Sequence, residues 1–315
     1  MKSISRRQFI KGGVAIAMTF LMGSKLRLYG IGEESPHVIE GTRNIMGTSV
    51  AASIIHHDVD VAKEAMALAF NEMYKIDDLM SVYRANSEVR SLNESGFYEG
   101  ASADTIRVIE RANHYSRLSG GAFAITVLPI MTGIRFTRST LELANYENLL
   151  IGNGNIGFKK AGMGITLGGI AKGYAVDRAI EVLRQNGIER ALINAGGDIR
   201  TIGGRTAEVP WRIALRDPDN RKERVTVIEL CDKAIATSGN YERFHIVNAR
   251  TGCVAQEMMS ATVIAENAMD ADALSTTIFL LGVEKGMELV ERLSGVEALV
   301  ITNDRRILRS SGFQY

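Results

Sequence analysis

The middle of the chain reads Leu167-Gly168-Gly169-Ile170-Ala171-Lys172-Gly173-Tyr174-Ala175-Val176-Asp177. The two adjacent glycines predict a turn at which a strand passes into a helix, with Lys172 in the first turn of that helix. Exposed backbone N–H groups, the helix dipole and one cation would together favour an anionic phosphate. A tight strand-to-helix turn without a ligand would use the same glycines. The stretch is not a Walker loop, because its lysine precedes a glycine and the chain contains no G-K-[ST] sequence.

Helices and strands interleave on both sides of this stretch. Helical spacing of apolar residues predicts helices over 59–76, 104–118, 171–185, 270–281 and 284–293. Short apolar runs predict strands over 49–55, 191–194 and 298–301, and alternation from Trp211 to Phe244 predicts an antiparallel sheet. Because no regular βαβ rhythm connects these elements, the expected fold is mixed α+β, with largely antiparallel sheets and packed helices.

A second glycine-rich segment, Gly152-Asn153-Gly154-Asn155-Ile156-Gly157, matches the dinucleotide-binding pattern G-x-G-x-x-G. That fingerprint requires a helix to open at the third glycine, so that the helix can hold a pyrophosphate. The following residues, 158–164, include two further glycines and have no helical pattern. The segment is therefore predicted to be a hairpin without a cofactor role.

The charge and cysteine content exclude several classes of protein. The 315 residues include 37 Lys plus Arg and 36 Asp plus Glu, which gives a net charge of +1. That balance argues against nucleic-acid binding and against a polybasic membrane patch. The two cysteines, Cys231 and Cys253, cannot supply a disulfide framework or a four-ligand zinc site. Their spacing does not decide whether they form one bridge or remain buried thiols.

The amino terminus has the features of a targeting segment. Ser5-Arg6-Arg7-Gln8-Phe9-Ile10-Lys11 precedes an apolar run over 14–22 that is too short to span a bilayer. The pair of arginines predicts a twin-arginine export signal over residues 1–31, and residues 32–315 are expected to form one further domain. We expect an exported protein that is periplasmic or faces the periplasm on the inner membrane. No A-x-A cleavage site follows, so the segment could persist as a membrane tether. The alternative is a basic amphipathic start on a cytosolic protein.

Two further segments carry polar side chains suited to chemistry. In Asp270-Ala271-Asp272-Ala273-Leu274-Ser275-Thr276-Thr277, Asp272 and Thr276 share one helical face and could offer a carboxylate and a hydroxyl to Mg²⁺. The alternative is an acidic first helical turn whose threonine bonds back to its own backbone. Residues 236–252 bring hydroxyls, His245 and Arg250 close together in sequence, although a lone histidine is more often structural than catalytic.

Together these segments resemble the ApbE family, the FAD:protein FMN transferases. The resemblance extends from Met46 to about Leu293. It rests on an ordered series of motifs: Met46-Gly47-Thr48, Met80-Ser81-Val82-Tyr83-Arg84, Ser87-Glu88, Leu92-Asn93, Gly121-Ala122-Phe123, Thr126-Val127 with Pro129, Gly168 to Asp177, Asn194-Ala195-Gly196-Gly197-Asp198-Ile199 and Ala234 to Gly239.

The resemblance implies an activity and a set of site residues. Such enzymes split FAD, move its FMN half onto a threonine hydroxyl of an acceptor flavoprotein and release AMP. By resemblance, His245 and Lys172 are catalytic and Mg²⁺ is held by the Gly169 carbonyl, Asp272 and Thr276, with Ser275 as a further ligand. The residues expected to contact FAD are Met46, Tyr83, Ala124, Ile125, Thr126, Thr166, Lys172 and Ile246. Export implies that the acceptor is a membrane redox subunit or a periplasmic flavoprotein. Two alternatives are an Mg²⁺-dependent FAD pyrophosphatase that yields FMN and AMP, and a flavin-binding module without turnover.

The chain departs from the family pattern at four places. Family members usually carry an acid at the position of Ala124 and an Asp at the position of Thr166. Asn240 replaces a frequent Asp, and Asn248-Ala249 replaces Asp-Pro. Because Asp272 and Thr276 are retained, we expect FAD and Mg²⁺ to bind.

Overall fold

A long antiparallel sheet organises the fold. A computed structural model describes residues 35–132, 138–220, 222–239 and 246–314. The signal segment, Asn240 and His245 therefore lie outside the described residues. The strands are β1 His37–Ile45, β2 Thr48–His56, β3 Phe97–Tyr98, β4 Leu149–Gly152, β5 Asn155–Phe158, β6 Ala191–Ala195, β7 Asp198–Ile202, β8 Trp211–Arg216, β9 Arg224–Leu230, β10 Ala234–Gly239, β11 Met258–Ala265, β12 Glu297–Thr302 and β13 Ile307–Arg309.

Eight α-helices occur in the described ranges. They are α1 Val59–Met80, α2 Glu88–Ser95, α3 Ala103–Leu118, α4 Leu128–Thr132, α5 Arg138–Leu143, α6 Ala171–Gln185, α7 Ala268–Leu281 and α8 Val283–Glu291. Short 3₁₀ turns cover Ile125–Val127 and Tyr146–Asn148. Within the part of the chain that is described, no helix is both long and apolar enough to cross a membrane.

The main sheet has eight strands in the order β1-β2-β6-β7-β10-β11-β12-β13. Every neighbouring pair is antiparallel. Strands β3, β5 and β4 form a small second sheet, and β8 pairs with β9. The apolar residues of the β8–β9 hairpin, including Trp211, pack against one face of the main sheet. Helices cover the other face, where α7 contacts β10, β11 and α6. This architecture confirms the predicted mixed α+β fold with antiparallel sheets.

One end of the main sheet gathers two chain reversals and the end of a third strand. The β1–β2 turn lies at Met46-Gly47, the β6–β7 turn at Gly196-Gly197, and β10 ends at Gly239. The register of β2 against β6 pairs Val50 with Ala195, which brings the first two turns to the same end. Met46 has a left-handed φ of 53°, which is uncommon for a residue other than glycine. Residues beside the two turns and at the end of β10 are therefore neighbours in space, although they are far apart in sequence.

The helices expected from periodicity are confirmed. Helix α6 covers the range that was expected, and α1 begins at Val59 because the Asp58 side chain accepts hydrogen bonds from the Asp60 and Val61 amides. The expected hairpin is also confirmed: β4 and β5 are joined by Asn153 and Gly154 with φ of 53° and 76°. The antiparallel sheet expected over 211–244 is confirmed only for β8 and β9, because β10 belongs to the main sheet and pairs with β7 and β11. Residues 240–244 lie outside the described ranges.

Two expectations are wrong. No strand precedes Gly168, because the Asn93 side chain takes both backbone hydrogen bonds of Ile165: its Nδ2 donates to the carbonyl at 2.9 Å and its Oδ1 accepts from the amide at 2.7 Å. A side chain thus occupies the place of a partner strand. Cys231 and Cys253 are both exposed and free, so neither the bridge nor the buried-thiol alternative is found.

Candidate functional site

The site lies where the amino end of α6 meets the middle of α7 and the end of the main sheet. Helix α6 supplies Lys172, α7 supplies Asp272, and the first position of β7 supplies Asp198. Lys172 Nζ forms an ion pair with Asp198 Oδ2 and lies 4.0 Å from Asp272 Oδ2. The side chains of Asp198 and Asp272 are only 3% and 5% exposed. The sequence motifs therefore place one ammonium group between two buried carboxylates.

This cluster carries more negative than positive charge. Two carboxylates face one ammonium group, so the three side chains carry a net charge of −1 when ionised. Burial raises the pKa of Asp272, the Asp198 carboxylate raises it further, and Lys172 opposes both effects. A second cation at this position would stabilise both ionised carboxylates.

A cluster of hydroxyl groups lies next to Asp272. Ser238 Oγ, at the end of β10, is 2.8 Å from Ser275 Oγ and 2.9 Å from Thr276 Oγ1. Ser275 also donates to the Asp272 carbonyl at 2.9 Å. The back-bonding alternative concerned Thr276, but the threonine that donates to its own helix backbone is Thr277, which bonds the Ala273 carbonyl. Thr276 instead faces the end of the sheet.

Two glycines allow the backbone of α6 and its preceding turn to approach α7. A Cβ at position 169 would lie 3.3 Å from Thr276 Oγ1, and a Cβ at position 173 would lie only 2.1 Å from the Ala268 carbonyl oxygen. The Gly173 amide donates to Asp272 Oδ2 at 3.1 Å. The glycines of the central stretch therefore permit close packing of α6 against α7, and Gly169 lies beside the Asp272–Thr276 pair.

The donor set fits Mg²⁺. The described ranges contain no group of three or more His, Cys, Asp or Glu side chains that could hold a metal ion. A cation here would therefore need a mixture of carboxylate, hydroxyl and carbonyl oxygens. The buried Asp272 carboxylate and the Thr276 hydroxyl, one helical turn apart, provide such oxygens beside Gly169, and Mg²⁺ prefers hard oxygen ligands.

The residues expected to contact FAD occupy more than one region of the structure. Met46 lies in the β1–β2 turn, and both Met46 and Ile246 pack against the hydrophobic core. Tyr83 is 44% exposed, and partial desolvation raises its pKa to about 12. Their contacts with FAD stay predictions.

The second region is formed by residues 124–126 and Thr166. The Thr166 amide donates to the Ile125 carbonyl at 2.8 Å, so these two positions are neighbours. Ala124, Ile125 and Thr126 are all buried, and the Thr126 hydroxyl donates to the Ala144 carbonyl at 2.5 Å. Any contact of the Thr126 side chain with FAD would have to compete with this bond.

The departures from the family pattern have structural partners. Ala124 and Ala249 belong to one small apolar cluster together with Ala144. Asn248 Oδ1 accepts from the Arg250 and Thr251 amides, and its Nδ2 donates to the Leu280 carbonyl at 3.2 Å. An aspartate could accept the first two bonds but could not donate the third. Asn248 therefore joins its turn to the last turn of α7.

Sequence patterns alone predicted no role for two residues of the site. Asp198 is the ion-pair partner of Lys172, and Ser238 links β10 to the hydroxyls of α7. Both lie within motifs that carried the family resemblance, 194–199 and 234–239. Their positions in those motifs could have indicated a role in the site, but the contacts of each residue are set by the tertiary fold.

The chain matches one protein family and several proteins of known structure. The model of the ApbE family matches residues 46–300. An FAD:protein FMN transferase of Klebsiella pneumoniae is 28% identical over 294 residues, which cover 85% of this chain and 90% of the relative. The flavin transferase ApbE from Vibrio cholerae superposes with a TM-score of 0.78 at 28% identity, covering 88% of this chain and 98% of that protein. The ApbE protein from Thermotoga maritima superposes with a TM-score of 0.80 at 30% identity, with the same two coverages.

Proposed function

This chain belongs to the ApbE family, and from that membership and the geometry of the site we propose that it is an Mg²⁺-dependent FAD:protein FMN transferase. The FMN half of FAD would move onto a threonine hydroxyl of an acceptor protein, and AMP would be released. The activity is supported by its relatives, which are FAD:protein FMN transferases. Mg²⁺ and the threonine target are supported by the donor set of the site and by the family resemblance.

The observation that carries the proposal is the pairing of the partly exposed Lys172 with the buried carboxylates of Asp198 and Asp272. A pyrophosphate is an anion, and a site for it must provide positive charge in a place from which water is largely excluded. Lys172 supplies one cation at the first turn of α6, where the helix dipole adds a favourable field. The two carboxylates would repel the pyrophosphate unless a further cation were bound beside them. The cluster therefore suits FAD together with a metal better than either one alone.

In the proposed reaction, the threonine oxygen forms a bond to the phosphorus of the FMN half. The bond from this phosphorus to the bridging oxygen breaks, and AMP leaves with the electron pair of that bond. Lys172 would hold a pyrophosphate oxygen, and Asp198 would keep the Lys172 ammonium directed towards the site. Mg²⁺ held by the Gly169 carbonyl, Asp272, Thr276 and Ser275 would neutralise charge on the phosphate oxygens. The proton of the threonine hydroxyl would pass to His245, the base that the family resemblance favours.

The cellular context is a further part of the proposal. The twin-arginine motif at Arg6-Arg7 supports export, and therefore an acceptor that is a membrane redox subunit or a periplasmic flavoprotein. Residues 1–31 could act as a membrane tether if they are not removed.

The proposed function is tested by incubating the full chain with FAD, Mg²⁺ and an acceptor domain that carries a single target threonine. Mass spectrometry should show that the acceptor gains one FMN, and AMP should appear in equal amount. The matched controls are the acceptor with threonine replaced by valine and the enzyme variant Asp272→Asn, neither of which should give a product. Release of FMN and AMP without acceptor would favour a pyrophosphatase. Binding of FAD without cleavage would favour a storage module.

A further inference from the structure

The first turn of α7 is held by a side chain from α6. Asp177 Oδ1 accepts from the Ala268 amide at 2.8 Å, and Asp177 Oδ2 accepts from the Met269 amide at 2.9 Å. The same carboxylate binds Arg200 of β7, whose Nη1 lies 2.7 Å from Asp177 Oδ1. Both side chains are largely buried, at 9% and 14% exposure. One carboxylate thus joins α6, the start of α7 and the main sheet.

These bonds do more than cap the helix. Asn267 already fills the local cap position of α7, because its Oδ1 accepts from the Asp270 amide at 2.8 Å. Asp177 binds the two amides that precede Asp270, and it does so from a different helix. Buried Arg200 keeps its place beside Asp177 although its Nε has no hydrogen-bond partner among the described residues. This arrangement fixes α7 relative to α6 rather than merely satisfying its amino end.

The contact lies one helical turn from the candidate metal ligands. Ala268 precedes Asp272 by four residues, and Asp177 follows Gly173 by four, so the Asp177–Ala268 and Gly173–Asp272 bonds are successive links along the two helices. Two such links prevent α7 from sliding or rotating against α6. Any slide would carry Asp272 and Thr276 away from Gly169 and Lys172.

We propose that Asp177 and Arg200 are positioning residues for the Mg²⁺ and FAD site, because they set the register of α7 against α6 that brings Asp272 and Thr276 to Gly169 and Lys172. This inference rests on the proposed function, because the expected effects are on the binding of Mg²⁺ and FAD. Asp177 and Arg200 themselves touch neither the metal ligands' oxygens nor the substrate in this account.

The test compares Asp177→Asn with the wild-type full chain. An amide side chain of the same shape has one oxygen, so its NH₂ group must face either a backbone amide or Arg200. We expect faster hydrogen exchange at the Ala268 and Met269 amides and a weakening of Mg²⁺ affinity of about tenfold or more, measured by calorimetric titration. The KM for FAD should rise by a similar factor. Arg200→Lys, which keeps the positive charge, should restore most of the affinity that Arg200→Met loses.

Asp217→Asn is the matched control. Asp217 also accepts from two backbone amides, those of Asp219 and Asn220, and it pairs with Arg305, with its side chain 10% exposed. It joins the β8–β9 loop to the β12–β13 turn, which supply none of the proposed site residues. This variant should lose stability while its Mg²⁺ affinity and KM for FAD stay at the wild-type values.

The outcomes separate the inference from the proposed function. If Asp177→Asn and Arg200→Met bind Mg²⁺ and FAD as the wild type does, or if Asp217→Asn weakens them equally, the positioning role is wrong. Should Asp177→Asn fail to fold, the Mg²⁺ and FAD affinities of Arg200→Met alone test the positioning role, since this variant leaves the Asp177 carboxylate and both of its amide bonds in place. A wild type that binds Mg²⁺ and FAD but transfers no FMN would refute the proposed function, while the two affinities would still decide the role of Asp177.

Discussion

The close approach of α6 to α7 at Gly173 gives a prediction whose size follows from the structure. In Gly173→Ala the new Cβ would lie 2.1 Å from the Ala268 carbonyl oxygen and 2.9 Å from Asp272 Cβ. Real Cβ atoms do not approach closer than 3.0 Å, so the helices must separate by at least 3.0 − 2.1 = 0.9 Å. The obstructing atom belongs to the backbone, which cannot rotate away. The separation therefore moves Asp272 with the first turns of α7.

Two consequences of this separation can be measured. Overpacking costs about 1–3 kcal/mol, and a clash with backbone belongs at the upper end of this range. The better helix propensity of alanine returns about 1 kcal/mol, so we expect a net loss of about 2 kcal/mol in the free energy of unfolding. Chemical denaturation measures this loss. A displacement of about 1 Å at a reacting centre costs on the order of 100-fold, so kcat/KM for FAD should fall by about that factor.

The matched control is Gly204→Ala. A Cβ at this position would lie 2.4 Å from the Val209 carbonyl oxygen, in the loop between β7 and β8. It should lower stability and leave kcat/KM for FAD unchanged. A Gly173→Ala variant with wild-type Mg²⁺ affinity and turnover would refute the reasoning, because the metal pair would then tolerate a shift of the two helices.

Three further predictions concern single side chains. Lys172→Met should lower kcat/KM for FAD by about 100-fold or more in steady-state assays, because it removes the ammonium group between two carboxylates. Lys172→Arg should recover part of this loss. Equal values of kcat/KM in the wild type and both variants would contradict the role of Lys172. Asn248→Asp should lower the free energy of unfolding in urea by about 1–2 kcal/mol, because a carboxylate cannot donate to the Leu280 carbonyl, and unchanged stability would exclude that bond. Arg305 and two backbone amides lower the pKa of Asp217, so its stabilisation is present above about pH 4 and is lost as the pH falls through the lowered value. The difference in Tm between wild type and Asp217→Asn should therefore shrink towards low pH, and a constant difference would contradict the linkage.

The elements that the sequence predicted correctly are those with a strong local signal. Helix α6 begins and ends as expected because its apolar residues recur at helical spacing and its carboxyl end is followed by Gly187, which has a left-handed φ of 76°. The strand expected before Gly168 is absent because Asn93, far away in sequence, takes the backbone bonds of Ile165. No pattern within residues 158–168 contains that information.

In the candidate site, too, local features could be predicted and long-range contacts could not. The spacing of Asp272 and Thr276 on one helical face could be recognised from the sequence, as could Lys172 at the start of a helix. Asp198 and Ser238 come from strands whose neighbours are set by sheet order, so their contacts with Lys172 and Thr276 could not be derived from spacing. The role of Asp177 depends on the packing of α6 against α7 and was not expected either.

The most direct test of the central claim is the position of the metal in crystals grown with FAD and Mn²⁺, which can be located by its anomalous scattering. We expect one strong anomalous peak between the Gly169 carbonyl, Asp272 and Thr276, with the pyrophosphate of FAD on its open side and Lys172 beside it. Bound FAD with no anomalous peak there, or with the metal held by other residues, would contradict the account.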